Sequence, residues 1–128
     1  LEELGGQARV LPHLPPEEVS GWLLSLDALA LPSLSEGCPN LLMEGMACGL
    51  PCVATRVGAV PELMTDGVSG LVVPWGDSDA LGLALGRLRE QPDLARMLGA
   101  NARRGMRAFS SAGECRRWQD LYAEILGA

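Results

Sequence analysis

The chain has 128 residues, 48% of them apolar, which is enough to bury a hydrophobic core within one domain. Its formal net charge is −6, and every basic residue is an arginine. An acidic chain without a Lys/Arg stripe is not typical of a nucleic-acid binder. The composition excludes a disordered chain, and no apolar run approaches the roughly 18 to 20 residues that span a bilayer.

Two features of the sequence indicate where the protein works. It begins Leu-Glu-Glu rather than Met and carries no signal peptide, so we expect a piece of a longer cytoplasmic protein. The four cysteines lie in apolar stretches without zinc-site spacing, and the single histidine, His13, is far from them in sequence. We therefore predict that the four cysteines are small buried side chains in a reducing cytosol and form no metal site. They are Cys38, Cys48, Cys52 and Cys115.

The first part of the chain alternates short apolar runs with helical patterns. Residues Ala8–Leu11 predict a strand that ends before Pro12. A helix is predicted from about Leu14 to Asp27, because prolines and acids occupy its first turn. Its apolar face has helical spacing: Val19, Trp22, Leu23 and Leu26. A second strand is predicted at Ala28–Leu31.

The same alternation continues through the middle of the chain. A helix is predicted from about Asn40 to Cys48 and ends at Gly49. Strands are predicted at Cys52–Thr55 and Leu71–Val73, with a short helix at about Pro61–Thr65 between them. Strands separated by helices indicate parallel crossovers. We therefore predict an α/β fold, a partial Rossmann-like parallel sheet of about four strands with flanking helices.

Three helices are predicted to complete the chain. Asp77 is the expected N-cap of the first, and Pro92 begins the second. Trp118 and Tyr122 fall on the apolar face of the third and are expected in the core, although part of that face would be exposed without a partner domain. Eight arginines lie on these helices and predict a solvated face: Arg87, Arg89, Arg96, Arg103, Arg104, Arg107, Arg116 and Arg117.

The chemistry is concentrated between Glu36 and Glu44. Glu36 follows the second predicted strand, and Gly37 lets the backbone approach a ligand closely. The free N–H groups at the start of the next helix can bind a phosphate without a lysine. The Glu44 carboxylate can accept hydrogen bonds from two neighbouring hydroxyls, such as a ribose diol. Taken alone, however, two acids beside a helix start are more typical of dipole stabilisation than of a binding site.

The surrounding sequence carries many further residues at fixed spacing. They read Leu31-Pro32-Ser33-x-x-Glu36-Gly37-x-Pro39-Asn40-x-Leu42-x-Glu44-x-Met46-Ala47-Cys48-Gly49-x-Pro51-x-Val53-Ala54-Thr55, then Val57-Gly58-x-x-Pro61-Glu62 and Asp66-Gly67-x-x-Gly70-Leu71-x-Val73-Pro74. This pattern closely resembles the signature of the group 1 glycosyltransferases, family 4 in sequence classifications. The resemblance runs from about residue 8 to the C-terminus.

The resemblance implies the GT-B fold, in which two Rossmann-like domains face each other across a cleft. Residues 1–128 would form part of the C-terminal, nucleotide-sugar-binding domain. The first two β-α units, with the arginine and lysine that hold the diphosphate, and the N-terminal domain would be absent. The parent enzyme would transfer a sugar with retention of configuration, without a metal ion or cofactor, and the isolated chain would be inactive.

The resemblance also implies roles for individual residues. Glu36 would be the catalytic-site residue that contacts donor-sugar hydroxyls, and Glu44 would hold the ribose. The segment that would contact the sugar and phosphate comprises Glu36, Gly37, Cys38, Pro39, Asn40 and Leu41. The base would lie against His13 and Leu14. No residue is implied as a metal ligand.

The expected partners follow from the same resemblance. They are a UDP- or GDP-sugar and the missing N-terminal domain, which could attach the protein peripherally to a membrane; nucleic acid is not expected. In the family's strand order a missing strand separates Ala8–Leu11 from Ala28–Leu31, so we hypothesise self-association through the open sheet edge. The alternatives are a nucleotide-sugar-binding module without activity and a sugar-nucleotide epimerase, but the glutamate pair and the Gly-x-Pro-Asn segment favour a transferase.

Overall fold

The computed structural model describes residues 8–127. Within this range, six α-helices, three strands and one short 3-10 helix follow each other: α1 (Pro16–Leu23), β1 (Leu29–Leu31), α2 (Asn40–Cys48), β2 (Cys52–Thr55), α3 (Val60–Leu63), β3 (Leu71–Val73), α4 (Ser78–Glu90), α5 (Pro92–Met106), the 3-10 helix (Arg107–Phe109) and α6 (Ser111–Leu126). The strands form one parallel sheet in the order β1-β2-β3. The predicted α/β fold with a Rossmann-like parallel sheet is confirmed.

The central strand β2 divides the core into two layers. All four of its residues are buried, as expected for a parallel strand that is covered on both faces. Cys52 and Ala54 pack in one cluster with apolar residues of α1, α2 and α5, whereas Val53 packs in the other with residues of α4 and Leu98 of α5. This alternation follows from the two-residue period of a strand and places helices on both faces of the sheet.

Helix α2 is held tightly between the sheet and α5. Gly49 ends it in the left-handed conformation, with φ of 82°, which glycine adopts without steric cost. Gly99 of α5 lies against the backbone of Gly49, where a Cβ would overlap the carbonyl oxygen. The absence of a side chain at Gly99 therefore lets α5 pack directly against the C-terminal end of α2.

Most predicted elements form within two or three residues of their expected bounds. The predicted bounds of α2, β2 and β3 are confirmed, and β1 begins one residue later than expected. Helix α1 ends at Leu23 rather than near Asp27, and α3 is shifted toward Val60. The predicted cap is also present, since the Asp77 side chain accepts a hydrogen bond of 2.8 Å from the Ala80 backbone N–H.

The predicted strand at Ala8–Leu11 is wrong. Residues 8–15 have no regular secondary structure, and Val10 is 72% exposed. A strand forms only where its backbone groups pair with a neighbour, and within residues 8–127 no strand lies beyond β1 to pair with this segment. The described sheet therefore has three strands rather than about four.

Two predictions of burial are also wrong. Trp118 and Tyr122 are 55% and 57% exposed, because α6 packs against the 3-10 helix and buries none of its residues fully. Cys38 and Cys115 are exposed, and only Cys52 is fully buried among the four free thiols. The eight late arginines are all exposed, which confirms the predicted solvated helix faces. None of the helices within residues 8–127 has the length and apolar character needed to cross a bilayer.

Candidate functional site

The loop between β1 and α2, residues 32–39, lies at the carboxyl edge of the sheet. The parallel register places the ends of all three strands at this edge, with Leu31 beside Ala54 and Thr55 beside Val73. In open α/β sheets, ligands bind in the crevice outside the carboxyl ends of the strands. The loop that carries Glu36 is therefore where a ligand site is expected on this fold.

Hydrogen bonds from two hydroxyl groups hold the loop. The Ser33 Oγ donates to Glu36 Oε1 at 2.6 Å. The Thr55 Oγ1, at the end of β2, donates to the Ser33 carbonyl oxygen at 2.6 Å and also lies 3.4 Å from the carbonyl oxygen of Leu31. Thr55 is only 5% exposed, whereas Glu36 is half-buried. A buried side chain of the central strand is thus connected to the loop that carries the first glutamate.

The turn after β2 braces the same loop from its other side. The Ala59 backbone N–H donates to the Gly37 carbonyl oxygen at 3.1 Å. Gly58 has a φ of 50° and lies directly against the backbone of Glu36, where a Cβ would overlap the carbonyl oxygen. Any larger residue at position 58 would have to displace the Glu36–Gly37 backbone.

The N-terminus of α2 follows the loop without a side-chain cap. Pro39 is the N-cap residue and is buried, and no side chain within residues 8–127 accepts a hydrogen bond from the first-turn N–H groups. The first hydrogen bond of the helix runs from the Met43 N–H to the Pro39 carbonyl oxygen at 3.1 Å. The N–H groups of Asn40, Leu41 and Leu42 precede it and have no acceptor within the helix. The neighbouring surface is open, since Gly37, Cys38, Asn40 and Leu41 are exposed. These N–H groups and the positive end of the helix dipole are suited to an anionic group.

The second glutamate lies in different surroundings from the first. Glu44 is exposed on the second turn of α2. It borders an open pocket of about 300 Å³ between α2 and the end of α5, lined by Met43, Glu44, Ala47, Met106, Phe109 and Ser110. Within residues 8–127 no hydrogen bond or ion pair occupies its carboxylate, so both oxygens can accept hydrogen bonds from a ligand.

The residues predicted to contact a base lie outside this cluster. His13 is exposed and Leu14 is half-buried in the irregular segment before α1. Helix α1 packs against α2. No hydrogen bond among the described residues joins His13 or Leu14 to Glu36, Glu44 or the loop between them. The structure therefore brings Glu36, Gly37 and the α2 N-terminus together but does not join the predicted base contacts to them.

Sequence reasoning missed the residues that support the loop. Ser33, Thr55 and Gly58 all belong to the quoted pattern, but their types and spacing do not show which backbone groups they contact. Ser33 lies three residues before Glu36, a spacing at which a serine hydroxyl commonly bonds locally, and this was the only available signal. The contact from Thr55 crosses from one strand to another and could not be found from the sequence.

A cavity at the end of α2 lies away from the glutamate pair. It has a volume of about 640 Å³ and is formed by the end of α2 and one face of α5: Cys48, Gly49, Arg96, Ala100, Arg103, Arg104 and Arg107. It holds no carboxylate, and one of its arginines, Arg96, is paired with Asp93 at 2.5 Å. We therefore place the candidate site by its hydrogen-bonded loop and open helix N-terminus rather than by cavity size. In the described part of the chain, no three His, Cys, Asp or Glu side chains are grouped as metal ligands.

Comparison with known proteins identifies the family. The family described as glycosyl transferases group 1 matches residues 1–91 of this chain. The chain belongs to the group 1 glycosyltransferases. The family suggested by the pattern from Leu31 to Pro74 is thereby confirmed.

Similarity to curated and solved proteins extends along nearly the whole chain. The D-inositol 3-phosphate glycosyltransferase of Corynebacterium jeikeium is 36% identical over 126 residues, which cover 97% of this chain and 30% of that protein. Sucrose-phosphate synthase from Thermosynechococcus elongatus superposes with a TM-score of 0.87 at 28% identity, covering 98% of this chain and 32% of that one. Anabaena HepE in complex with UDP-glucose shares the fold, with a TM-score of 0.83, 23% identity and coverage of 96% and 34%. The chain thus spans about a third of the length of these three proteins.

Proposed function

We propose that this chain is part of the nucleotide-sugar-binding domain of a retaining hexosyltransferase. The enzyme transfers a sugar from a UDP- or GDP-sugar to an acceptor without a metal ion or cofactor. The observation that carries the proposal is the Glu36–Asn40 loop, which leads into an uncapped helix N-terminus at the carboxyl edge of the sheet. Membership of the group 1 glycosyltransferases and the UDP-glucose bound to HepE favour this class of donor.

The loop binds the donor sugar and the phosphate in this proposal. Glu36 is the catalytic-site residue, and its free carboxylate oxygen accepts a hydrogen bond from a sugar hydroxyl close to the reacting carbon. The backbone of Gly37, Cys38 and Pro39, with the first N–H groups of α2 at Asn40 and Leu41, binds the sugar and the nearer phosphate. Donors fixed before the reaction stabilise the charge that develops on the leaving diphosphate.

Glu44 binds the nucleoside in this proposal. Its exposed carboxylate accepts hydrogen bonds from the two ribose hydroxyls, and its position one turn into α2 sets it roughly 6 Å along the helix axis from Asn40. His13 and Leu14 remain our candidates for contact with the base. Their proximity to α1, which packs against α2, is compatible with a base that lies beyond the ribose.

The isolated chain is expected to bind the donor weakly and to transfer little or no sugar. The glutamate loop lies on an open edge of the sheet and does not line the 640 Å³ cavity, as expected for one wall of a cleft between two domains. An N-terminal domain would supply the other wall and the acceptor site. The protein would be cytoplasmic, and the same domain would provide any peripheral attachment to a membrane. The chain is therefore best tested first as a binding module, because it spans 30% of a curated relative.

The test is a ligand titration of the 128-residue chain by heteronuclear NMR, with UDP, GDP, UDP-glucose and GDP-mannose. Glu44→Ala should weaken binding of the free nucleotide and its sugar form alike, by about tenfold, because a charged acceptor of hydrogen bonds is lost. Glu36→Ala should weaken only the sugar forms. The control is Glu90→Ala, an exposed glutamate at the end of α4, which should change neither.

Two results would contradict the proposal. A wild-type chain that shows no binding to any of the four ligands at millimolar concentration would remove the donor-binding assignment. Equal affinities for wild type, Glu44→Ala and Glu90→Ala would remove the ribose contact and place the nucleotide elsewhere.

A further inference from the structure

The carboxylate of Glu36 is already held on one side before any ligand binds. Ser33 Oγ donates to Glu36 Oε1 at 2.6 Å, a short distance typical of a hydroxyl bonded to a charged oxygen. The interaction is partly buried, and both residues are half-exposed. Glu36 Oε2 has no such partner among the described residues.

Ser33 is itself fixed by the central strand. Thr55 Oγ1 lies 2.6 Å from the Ser33 carbonyl oxygen and 3.4 Å from that of Leu31. A threonine hydroxyl has one proton to donate, and the shorter contact receives it. Because Thr55 is 5% exposed, its hydroxyl has little access to water and depends on this contact for its hydrogen bond.

We propose that Ser33 is a positioning residue that orients the Glu36 carboxylate for donor-sugar recognition, and that Thr55 in turn holds Ser33 against the sheet. This inference rests on the proposed function, because it concerns how the same glutamate meets the sugar. The three residues form a chain from the buried core of β2 to the ligand-facing oxygen of Glu36.

The physical effect is preorganisation. A free glutamate side chain samples many rotamers and loses that freedom when a sugar hydroxyl binds it. The bond from Ser33 occupies Oε1 and leaves Oε2 to accept from the ligand. The backbone of Glu36 is fixed as well, since Gly58 and the Ala59 N–H pack against the Glu36–Gly37 segment. Donor sugar is therefore bound by a carboxylate whose orientation is set in advance.

The decisive comparison is between a nucleotide sugar and the same nucleotide without the sugar. Ser33→Ala removes the hydroxyl, Ser33→Thr keeps it, and Ser35→Ala serves as the matched control. Ser35 is exposed in the same loop, and its hydroxyl makes no hydrogen bond within residues 8–127. Each variant is titrated with UDP-glucose against UDP, and with GDP-mannose against GDP, by heteronuclear NMR of the 128-residue chain.

We expect Ser33→Ala to weaken binding of the nucleotide sugar by about three- to tenfold, the effect of freeing one long side chain. Binding of the free nucleotide should not change, since Glu36 does not contact it. Ser33→Thr should restore the affinity for the sugar form, and Ser35→Ala should match wild type. In the Glu36→Gln background, Ser33→Ala should have a much smaller effect, because the two residues act as a unit.

A general loss of structure would give a different result. A destabilised loop would weaken the binding of the nucleotide and of the nucleotide sugar together. Ser33→Thr would then change the affinities for both ligands alike. Thr55→Val tests the next link: it should reduce sugar-form binding in the same selective way, whereas Thr55→Ser should retain it. Amide spectra of every variant show whether the fold is intact.

The outcomes separate this inference from the proposed function. If wild type binds the nucleotide sugar through Glu36 but Ser33→Ala has no selective effect, the role of Ser33 is wrong and the donor site stands. If the effects of Ser33→Ala and Glu36→Gln are additive, Ser33 does not act through Glu36. If wild type binds none of the ligands, the donor site and the role of Ser33 are both rejected.

Discussion

At the scale of the residue, side chains of the same type differ because their surroundings differ. Glu36 is half-buried and bonded to Ser33, whereas Glu44 is exposed with both carboxylate oxygens free among the described residues. The spacing of the two glutamates was visible in the sequence, but the partner of the first was not. The cysteines show the same contrast, because Cys38 is exposed in the candidate site and Cys52 is buried in β2.

The cysteines should differ in reactivity. Burial raises the pKa of the Cys52 thiol to about 12 from an ordinary value of 9.0, with a smaller contribution from nearby Cys48. The reactive thiolate of Cys52 is therefore almost absent near pH 8 and forms only as the pH rises toward 12. We predict that iodoacetamide at pH 8 labels Cys38 and Cys115 first and Cys52 last, as read by peptide mass spectrometry. Labelling of Cys52 in the native chain at the rate of Cys38 would show that it is not buried.

At the scale of the element, α2 and α4 both begin at the carboxyl edge of the sheet but start differently. Helix α4 has a side-chain cap, since Asp77 accepts a hydrogen bond from the Ala80 N–H. Helix α2 has Pro39 at its N-cap position and no side-chain cap. The sequence predicted the bounds of both helices from glycine, proline and acid positions. The missing cap of α2 is the difference that leaves its N–H groups available to an anion.

Loss of the α4 cap should destabilise the fold measurably. We predict that Asp77→Ala lowers the free energy of unfolding by about 1 kcal/mol, the usual cost of replacing an N-cap aspartate. Asp79→Ala, in the first turn of α4 but without a capping bond, should cost less. Urea unfolding monitored by circular dichroism gives both values. Equal losses for the two variants would mean that the capping bond contributes nothing beyond charge.

At the scale of the whole molecule, two of the surfaces without a partner in the described chain bear on self-association. No strand within residues 8–127 pairs with the outer edge of β1. Helix α6 also exposes an apolar face that includes Leu121, Tyr122 and Ile125. An open sheet edge presents unpaired N–H and C=O groups that can pair with another chain. This geometry favours association of the isolated chain with itself.

We predict that the 128-residue chain self-associates through β1. Its sedimentation coefficient should rise with protein concentration. Ala30→Lys, at an exposed position of the edge strand, should reduce this rise because a charge on an edge strand opposes pairing. Ala112→Lys adds the same charge on α6 and should have little effect if the edge is responsible. A single monomeric species at all concentrations, with cooperative thermal unfolding, would contradict the prediction.

The sequence by itself determined the fold class, the family and the location of the glutamate pair. These depend on local signals: apolar runs for β2 and β3, the glycine at position 49, and a motif with fixed spacing. Only the tertiary structure decided whether a segment pairs with a strand or is covered by another element. Residues 8–11 have strand composition but pair with no strand within residues 8–127, and Trp118 lies on an apolar face that no residue in this range covers. The support of Glu36 by Thr55 and Gly58 was also decided there, because the hydrogen bond from Thr55 to Ser33 and the packing of Gly58 on Glu36 join segments that are about 20 residues apart in sequence.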